Sequence, residues 1–92
     1  MDAEAKLRAL LDLAESVGIT VRRVSVADDG DRSGGALVRL HGRAMLFIDP
    51  NAPVGDRLAV AAAALKGRSE IEDRFLPPEL RRLIDEASAV GG

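Results

Sequence analysis

Two apolar runs separated by His41-Gly42 constrain the fold of this chain more than any other feature. The runs cover residues 36–40 and 43–48, and a two-residue connection with glycine second is typical of a β-hairpin turn. The predicted register pairs Leu40 with Arg43, Val38 with Met45, and Ala36 with Phe47. The second run is apolar at odd and even positions alike, so both faces of the strand are apolar. This pattern indicates a strand that is central in the sheet or buried from two sides.

The segment before the hairpin predicts one helix and one strand. Apolar residues recur at helical spacing over 2–17, with Asp2 as N-cap and Gly18 as the stop. Arg8 is four residues from acidic neighbours on both sides, so we expect ion pairs with Glu4 and Asp12. Residues 19–26 are β-branched and predict a strand with a bulge at Arg22–Arg23. Residues 27–35 are rich in Asp and Gly and predict a surface loop.

The segment after the hairpin predicts two further helices. Residues 53–56 open the first helix, which continues over 57–66, with Asn51 or Asp56 as its cap and Gly67 as its stop. Residues 69–76 are expected to form a short connector, anchored in the core by Phe75 and Leu76. A last helix covers 78–88, since proline suits a first helical turn, and 89–92 form a frayed tail.

These elements predict a single small α+β domain over 1–92. Its order is α-β-β-β-α-α, with a three-stranded, mainly antiparallel sheet and helices packed on it. Only Phe47 and Phe75 are aromatic, and we expect both inside. With so few aromatic rings, the core buries a modest apolar area. In such domains a second copy of the chain or another protein often completes the core.

Composition excludes several classes of function. The chain has no cysteine, which excludes disulfides and thiolate metal sites and suits a cytoplasmic protein. The net charge of −2 gives no global attraction to nucleic acid or to an anionic membrane, and no apolar run reaches membrane-spanning length. We expect no cofactor and no metal.

The chemical candidates are few and favour structural interpretations. His41, the only histidine, is interpreted as a turn residue rather than a catalytic base. Asp28, Asp29 and Asp31 lack the spacing of a calcium loop, because the twelfth position from Asp28 is Arg39. The pair Gly34-Gly35 precedes a strand instead of a helix, so it is interpreted as relieving crowding rather than binding phosphate.

Arginines on the predicted strands form the candidate interaction surface: Arg22, Arg23, Arg39 and Arg43. If the strands are neighbours, several guanidinium groups share one exposed face, which permits weak binding to nucleic acid. The absence of Tyr and Trp opposes that interpretation, because single-strand platforms stack bases on aromatic side chains.

The hairpin, the Asp49-Pro50-Asn51 turn and the helix that follows resemble the ImmA/IrrE-type bacterial metallopeptidases over residues 34–66. That resemblance implies a bacterial scaffold whose second helix carries a zinc motif, H-E-x-x-H. Here Ala62, Ala63 and Lys66 stand at the three motif positions, and they can neither hold zinc nor act as general base.

The sequence therefore predicts a non-catalytic protein–protein interaction module, most simply a homodimer. One alternative is a degenerate peptidase-like domain that keeps a ligand groove. A second alternative is a weak nucleic-acid binder that uses the strand arginines.

Overall fold

The chain folds as a small α+β domain, as predicted, with one additional short helix. The structure is a computed structural model, and it describes residues 1–24 and 34–87. Its elements are α1 (Ala3–Ser16), β1 (Thr20–Arg23), β2 (Gly35–Leu40), β3 (Arg43–Ile48), α2 (Val54–Leu65), α3 (Ser69–Glu72) and α4 (Pro78–Glu86). Helix α3 lies where only a connector was expected.

The three strands form a mixed sheet in the order β1-β3-β2. Strand β3 pairs antiparallel with β2 from Leu40↔Arg43 to Gly35↔Ile48. It pairs parallel with β1 over the shorter stretch from Thr20↔Met45 to Arg23↔Ile48. The mainly antiparallel sheet, the hairpin register and the central position of β3 are all confirmed.

The hairpin turn requires the two residues that occupy it. His41 has φ 52° and Gly42 has φ 78°, and both central residues of a type I′ turn need positive φ. Glycine adopts this conformation without strain, and histidine is among the side chains that tolerate it better than most. The interpretation of His41 as a turn residue is therefore confirmed.

Strand β1 differs from its prediction. Its register against β3 runs without interruption through Arg22 and Arg23, so the predicted bulge is wrong. The ladder continues one residue further, because the Val24 amide donates to the Ile48 carbonyl at 2.9 Å. The remaining residues of the predicted strand, 25 and 26, and the loop residues 27–33 lie outside the described residues. Gly35, assigned to that loop, is the first residue of β2.

The helix ends follow the sequence in part. Asp2 caps α1 as predicted, since its Oδ1 accepts a hydrogen bond of 2.8 Å from the Ala5 amide. Helix α2 begins at Val54, within the segment expected to open it, but its N-cap position is Pro53, so the prediction of Asn51 or Asp56 as the cap is wrong. Helix α4 ends at Glu86, and residues 88–92 lie outside the described part of the chain.

The core lies between the helices and one face of the sheet. Its largest fully buried side chains are Leu10, Leu46, Ile48, Leu65 and Ile71. Leu76 also belongs to this core, at 6 % exposure. The neighbouring Phe75 is 89 % exposed, so its prediction as an anchor is wrong. Leu76 and the start of α4 already close this end of the core, and the aromatic ring is left outside it.

Candidate interaction surface

Strand alternation divides the sheet into an inner and an outer face. The inner face carries Val21, Leu37, Ala44, Leu46 and Ile48, all of which belong to the core or pack against it. We define the outer face by the apolar residues of opposite parity: Ala36, Val38, Leu40, Met45 and Phe47. None of these five packs against the core cluster, although they come from the same two strands. Among the described residues, the helices thus cover one side of the sheet only.

The outer face is apolar with a positively charged rim. Leu40 is 49 % exposed, and the other four apolar residues are half-buried within the sheet surface. Register places Thr20 and Arg22 beside them on β1, and Arg43 at the turn end of β3. No acidic residue belongs to this face in the described strands, so its charge is positive. Contiguous exposed apolar surface with a polar rim is typical of an interaction site.

The four candidate arginines do not share one face. Arg22 and Arg43 have the parity of the outer face, whereas Arg23 and Arg39 have that of the inner face. All four are exposed, the inner pair because they lie at opposite ends of the sheet, beyond the buried core. The structure therefore brings two of them to the outer face and separates the other two. Their role in binding stays a prediction.

None of the five apolar residues of the outer face was among the residues predicted for the interaction surface, and Phe47 was expected inside. It lies half-buried on the outer face of the central strand. The sequence of β3 did indicate the position of Phe47. Arg43, Met45 and Phe47 alternate along the strand and therefore lie on one face, and the charge of Arg43 identifies that face as the one towards solvent. Because the residues of the other face of β3 are also apolar, the sequence alone did not distinguish the outer face from the inner one.

The residues considered for chemistry in the sequence lie only partly within the described part of the chain. No group of three His, Cys, Asp or Glu side chains there is placed to hold a metal ion. His41 is exposed at its turn. The acidic residues of the predicted loop, Asp28, Asp29 and Asp31, lie outside the described residues.

The glycine pair at the start of β2 has a packing role, as predicted. A Cβ added at Gly34 would overlap the Asp56 carbonyl and lie 3.1 Å from a methyl group of Val60. A Cβ added at Gly35 would overlap the Phe47 carbonyl oxygen and lie 2.9 Å from its carbon. Glycine therefore allows the start of β2 to approach both α2 and β3.

The positions that correspond to the zinc motif have structural roles in the fold. Helix α2 packs beside the hairpin, and Ala62 lines a groove of about 300 Å³ that α2 forms with Leu83 of α4 and with Ala87, the residue after α4. Ala63 is half-buried and does not line that groove. The Lys66 ammonium donates to the carbonyls of Asp85 and Ala87, which fastens the end of α4 to the end of α2. In the described lining of the groove, Glu86 is the only side chain of a metal-binding type, and the kinship stays a prediction.

Comparison with known proteins gives no match to a family model, to a curated protein or to a solved structure. None of the helices in residues 1–24 and 34–87 has the length and hydropathy needed to cross a bilayer.

Proposed function

We propose that this chain is a non-catalytic interaction module that forms a homodimer by stacking the outer faces of two sheets. The observation that carries the proposal is the apolar outer face, over which no described helix packs. The absence of cysteine supports a cytoplasmic location, and the resemblance to the ImmA/IrrE-type scaffold supports a bacterial source.

Apolar area supplies the driving force for this association. An antiparallel strand that faces water on one side normally alternates apolar and polar residues. Strand β3 instead places Met45 and Phe47 on the side away from the helices. Removing such side chains from water is worth about 25 cal/mol per Å² of apolar surface. A second sheet covers these residues at a separation of about 10 Å, the usual distance between stacked sheets.

A twofold axis across the strands makes the outer face self-complementary along β3. Met45 lies midway between Arg43 and Phe47 on this face. An axis through Met45 superposes β3 on the second copy's β3 in the opposite direction. Arg43 of each copy then lies over the Phe47 ring of the other, which is a cation–π arrangement formed twice.

The same axis matches the side chains of β2 by size. Val38 is the cross-strand neighbour of Met45, so it meets its own counterpart on the axis. Ala36 and Leu40 lie on either side of Val38, and the operation places each Ala36 over the second copy's Leu40. A small side chain opposite a large one allows close packing without a void.

The alternative twofold axis, parallel to the strands, is opposed by charge. It would again superpose the two central strands, but each residue would meet its own counterpart. Arg43 would then face the second copy's Arg43, and like charges brought together at a partly dehydrated interface repel each other. The face therefore selects the axis that crosses the strands.

The expected dimer is weak. Strand spacings of about 4.8 Å and a rise of about 3.3 Å per residue give the outer face a footprint of roughly 15 by 20 Å. That footprint is well below the roughly 800 Å² per partner of a standard interface, so association belongs to the weak, concentration-dependent class.

Sedimentation velocity from about 1 µM to 1 mM tests the proposal, since weak dimers dissociate within this range. The parent chain is expected to shift from monomer to dimer as its concentration rises. Met45→Lys is expected to stay monomeric, because the axis would bring two ammonium groups together. Circular dichroism shows whether this variant keeps its fold, as an outward-facing substitution should allow.

A matched pair of arginine variants tests the geometry. Arg43→Ala removes two cation–π contacts per dimer, which are worth about 0.5–1 kcal/mol each, so the dissociation constant should rise about five- to thirtyfold. Arg39→Ala removes an exposed arginine from the same hairpin but from the opposite face, and it should leave the constant unchanged. Equal effects of the two variants would contradict the stacking of outer faces.

Other occupants of the outer face give different outcomes. A parent chain that stays monomeric at every concentration contradicts the homodimer. If that monomer is retained on a single-stranded oligonucleotide, and Arg22→Glu with Arg43→Glu abolishes the retention, the face binds nucleic acid instead.

A further inference from the structure

A small pocket lies on the inner side of the sheet, away from the surface proposed for dimerisation. It is found where the parallel strands β1 and β3 end, between the first halves of α1 and α2. Its volume is about 120 Å³. Three arginines from three different elements line it: Arg8 of α1, Arg23 of β1 and Arg57 of α2. These three residues are far apart in the sequence, and the fold brings them to one pocket.

Arg57 is held in place by the protein. Its Nε donates to the Ala52 carbonyl at 3.0 Å, and its Nη2 lies 3.3 Å from the Glu4 carboxylate. Its side chain is only 17 % exposed. This arginine is fixed before any ligand arrives, and a group ordered in advance loses little entropy on binding.

The other two arginines are left available. Among the described residues, Arg8 forms neither of the ion pairs predicted with Glu4 and Asp12, and the Glu4 carboxylate pairs with Arg57 instead. The guanidinium groups of Arg8 and Arg23 have no hydrogen bond or ion pair to another described residue. Among the described residues, Glu4 is the only acidic one that lines the pocket, against three guanidinium groups, so the net charge of this lining is positive.

The apolar residues that line the rest of the pocket strengthen the attraction between its arginines and an anion. Leu7 and Leu11 of α1 and Ile48 of β3 form an apolar floor, and all three are buried. An apolar wall lowers the local dielectric response, and electrostatic attraction to a bound anion is stronger than in open water. Guanidinium groups also stay protonated at any physiological pH and match the oxygens of a phosphate in pairs.

We propose that this pocket binds a single phosphate-sized oxyanion, either free phosphate or the terminal group of a small phosphate monoester. The volume sets this limit. The pocket volume is about four times the roughly 30 Å³ that one water molecule occupies in the liquid. It is below the roughly 300–1,000 Å³ of pockets that enclose a drug-sized ligand, so the pocket can enclose a phosphate group but not a whole nucleotide.

Titration of ¹⁵N-labelled protein with inorganic phosphate tests the proposal, with sodium chloride of equal ionic strength as the reference. Saturable shifts are expected at amides beside Arg8, Arg23 and Arg57. Shifts that chloride reproduces in full would overturn the proposal. A second titration with glycerol 3-phosphate separates the two sources, since tighter binding than inorganic phosphate identifies a monoester and equal or weaker binding identifies the free anion.

Two neighbouring residues of β1 provide the matched variants. Arg23→Gln should weaken phosphate binding about tenfold, the loss expected for one charge-assisted hydrogen bond. Arg22→Gln removes the same charge from the adjacent position on the outer face, and it should leave binding unchanged. Equal weakening by both variants would show only a diffuse charge effect and would overturn the site. Both positions are exposed, so a melting curve for each confirms that the fold is intact.

Discussion

Gly35 is the position at which one methyl group should cost the fold most. Its φ of +140° lies in a region that is almost confined to glycine. An added Cβ would also overlap the Phe47 carbonyl of the central strand. To relieve the overlap, the start of β2 must move away from β3. Gly35→Ala therefore combines backbone strain with loss of strand pairing.

The size of the effect follows from these two contributions. An unfavourable φ costs about 1–3 kcal/mol, and each lost ladder hydrogen bond costs about 1 kcal/mol more. We expect the free energy of unfolding to fall by about 3 kcal/mol, against a total of roughly 5–14 kcal/mol for 92 residues. The melting temperature should then fall by roughly 12–24 °C.

Urea unfolding followed by circular dichroism measures this loss, and two other glycines provide controls. Gly42→Ala places alanine at φ +78° with no neighbouring atom within 4 Å, so it reports strain without overlap and should cost about 1 kcal/mol. Gly55→Ala lies in the first turn of α2 with nothing in contact, and it should be neutral or stabilising by about 0.5 kcal/mol. A Gly35→Ala midpoint no lower than that of Gly42→Ala would refute the reasoning.

Three further predictions test the core, a helix cap and the segment before α4, each by the same urea titration. Leu46→Ala removes a side chain with 0 % exposure at the centre of the sheet and should cost about 3–5 kcal/mol. Asp2→Ala deletes the hydrogen bond to the Ala5 amide and should cost about 1 kcal/mol, whereas Asp2→Asn should cost far less. Phe75→Ala should change stability by less than about 0.5 kcal/mol, but Leu76→Ala should cost about 2 kcal/mol or more, and the reverse order would contradict their placement.

Local patterns were sufficient to predict the hairpin and most of the helices. The turn at His41-Gly42 determines its own register, because a two-residue connection leaves one pairing of the flanking strands. Helix α1 combines its periodic apolar stripe with an N-cap at Asp2, and two independent signals agree there. Such features depend only on residues a few positions apart.

Features that depend on distant residues were predicted less well. The parallel pairing of β1 with β3 joins segments separated by the whole hairpin, and no local pattern in β1 specifies its partner. The supposed bulge at Arg22–Arg23 came from assuming that all four apolar residues of the segment face one way. The structure instead leaves Val24 43 % exposed, just beyond the end of β1. The pocket of Arg8, Arg23 and Arg57 was missed for the same reason, since its members come from three elements.

The apolar pattern of β3 connects the fold to the proposed function. Its inner residues, Leu46 and Ile48, are buried by helices, and their apolar character is explained by the core. Met45 and Phe47 have no such explanation, because a polar side chain at either position would leave the described core intact. A strand that is apolar on both faces is usually covered on both faces. Covering the second face with another copy satisfies this expectation without any further element in the chain, and it explains why Arg43 and Phe47 are spaced to meet across a twofold axis.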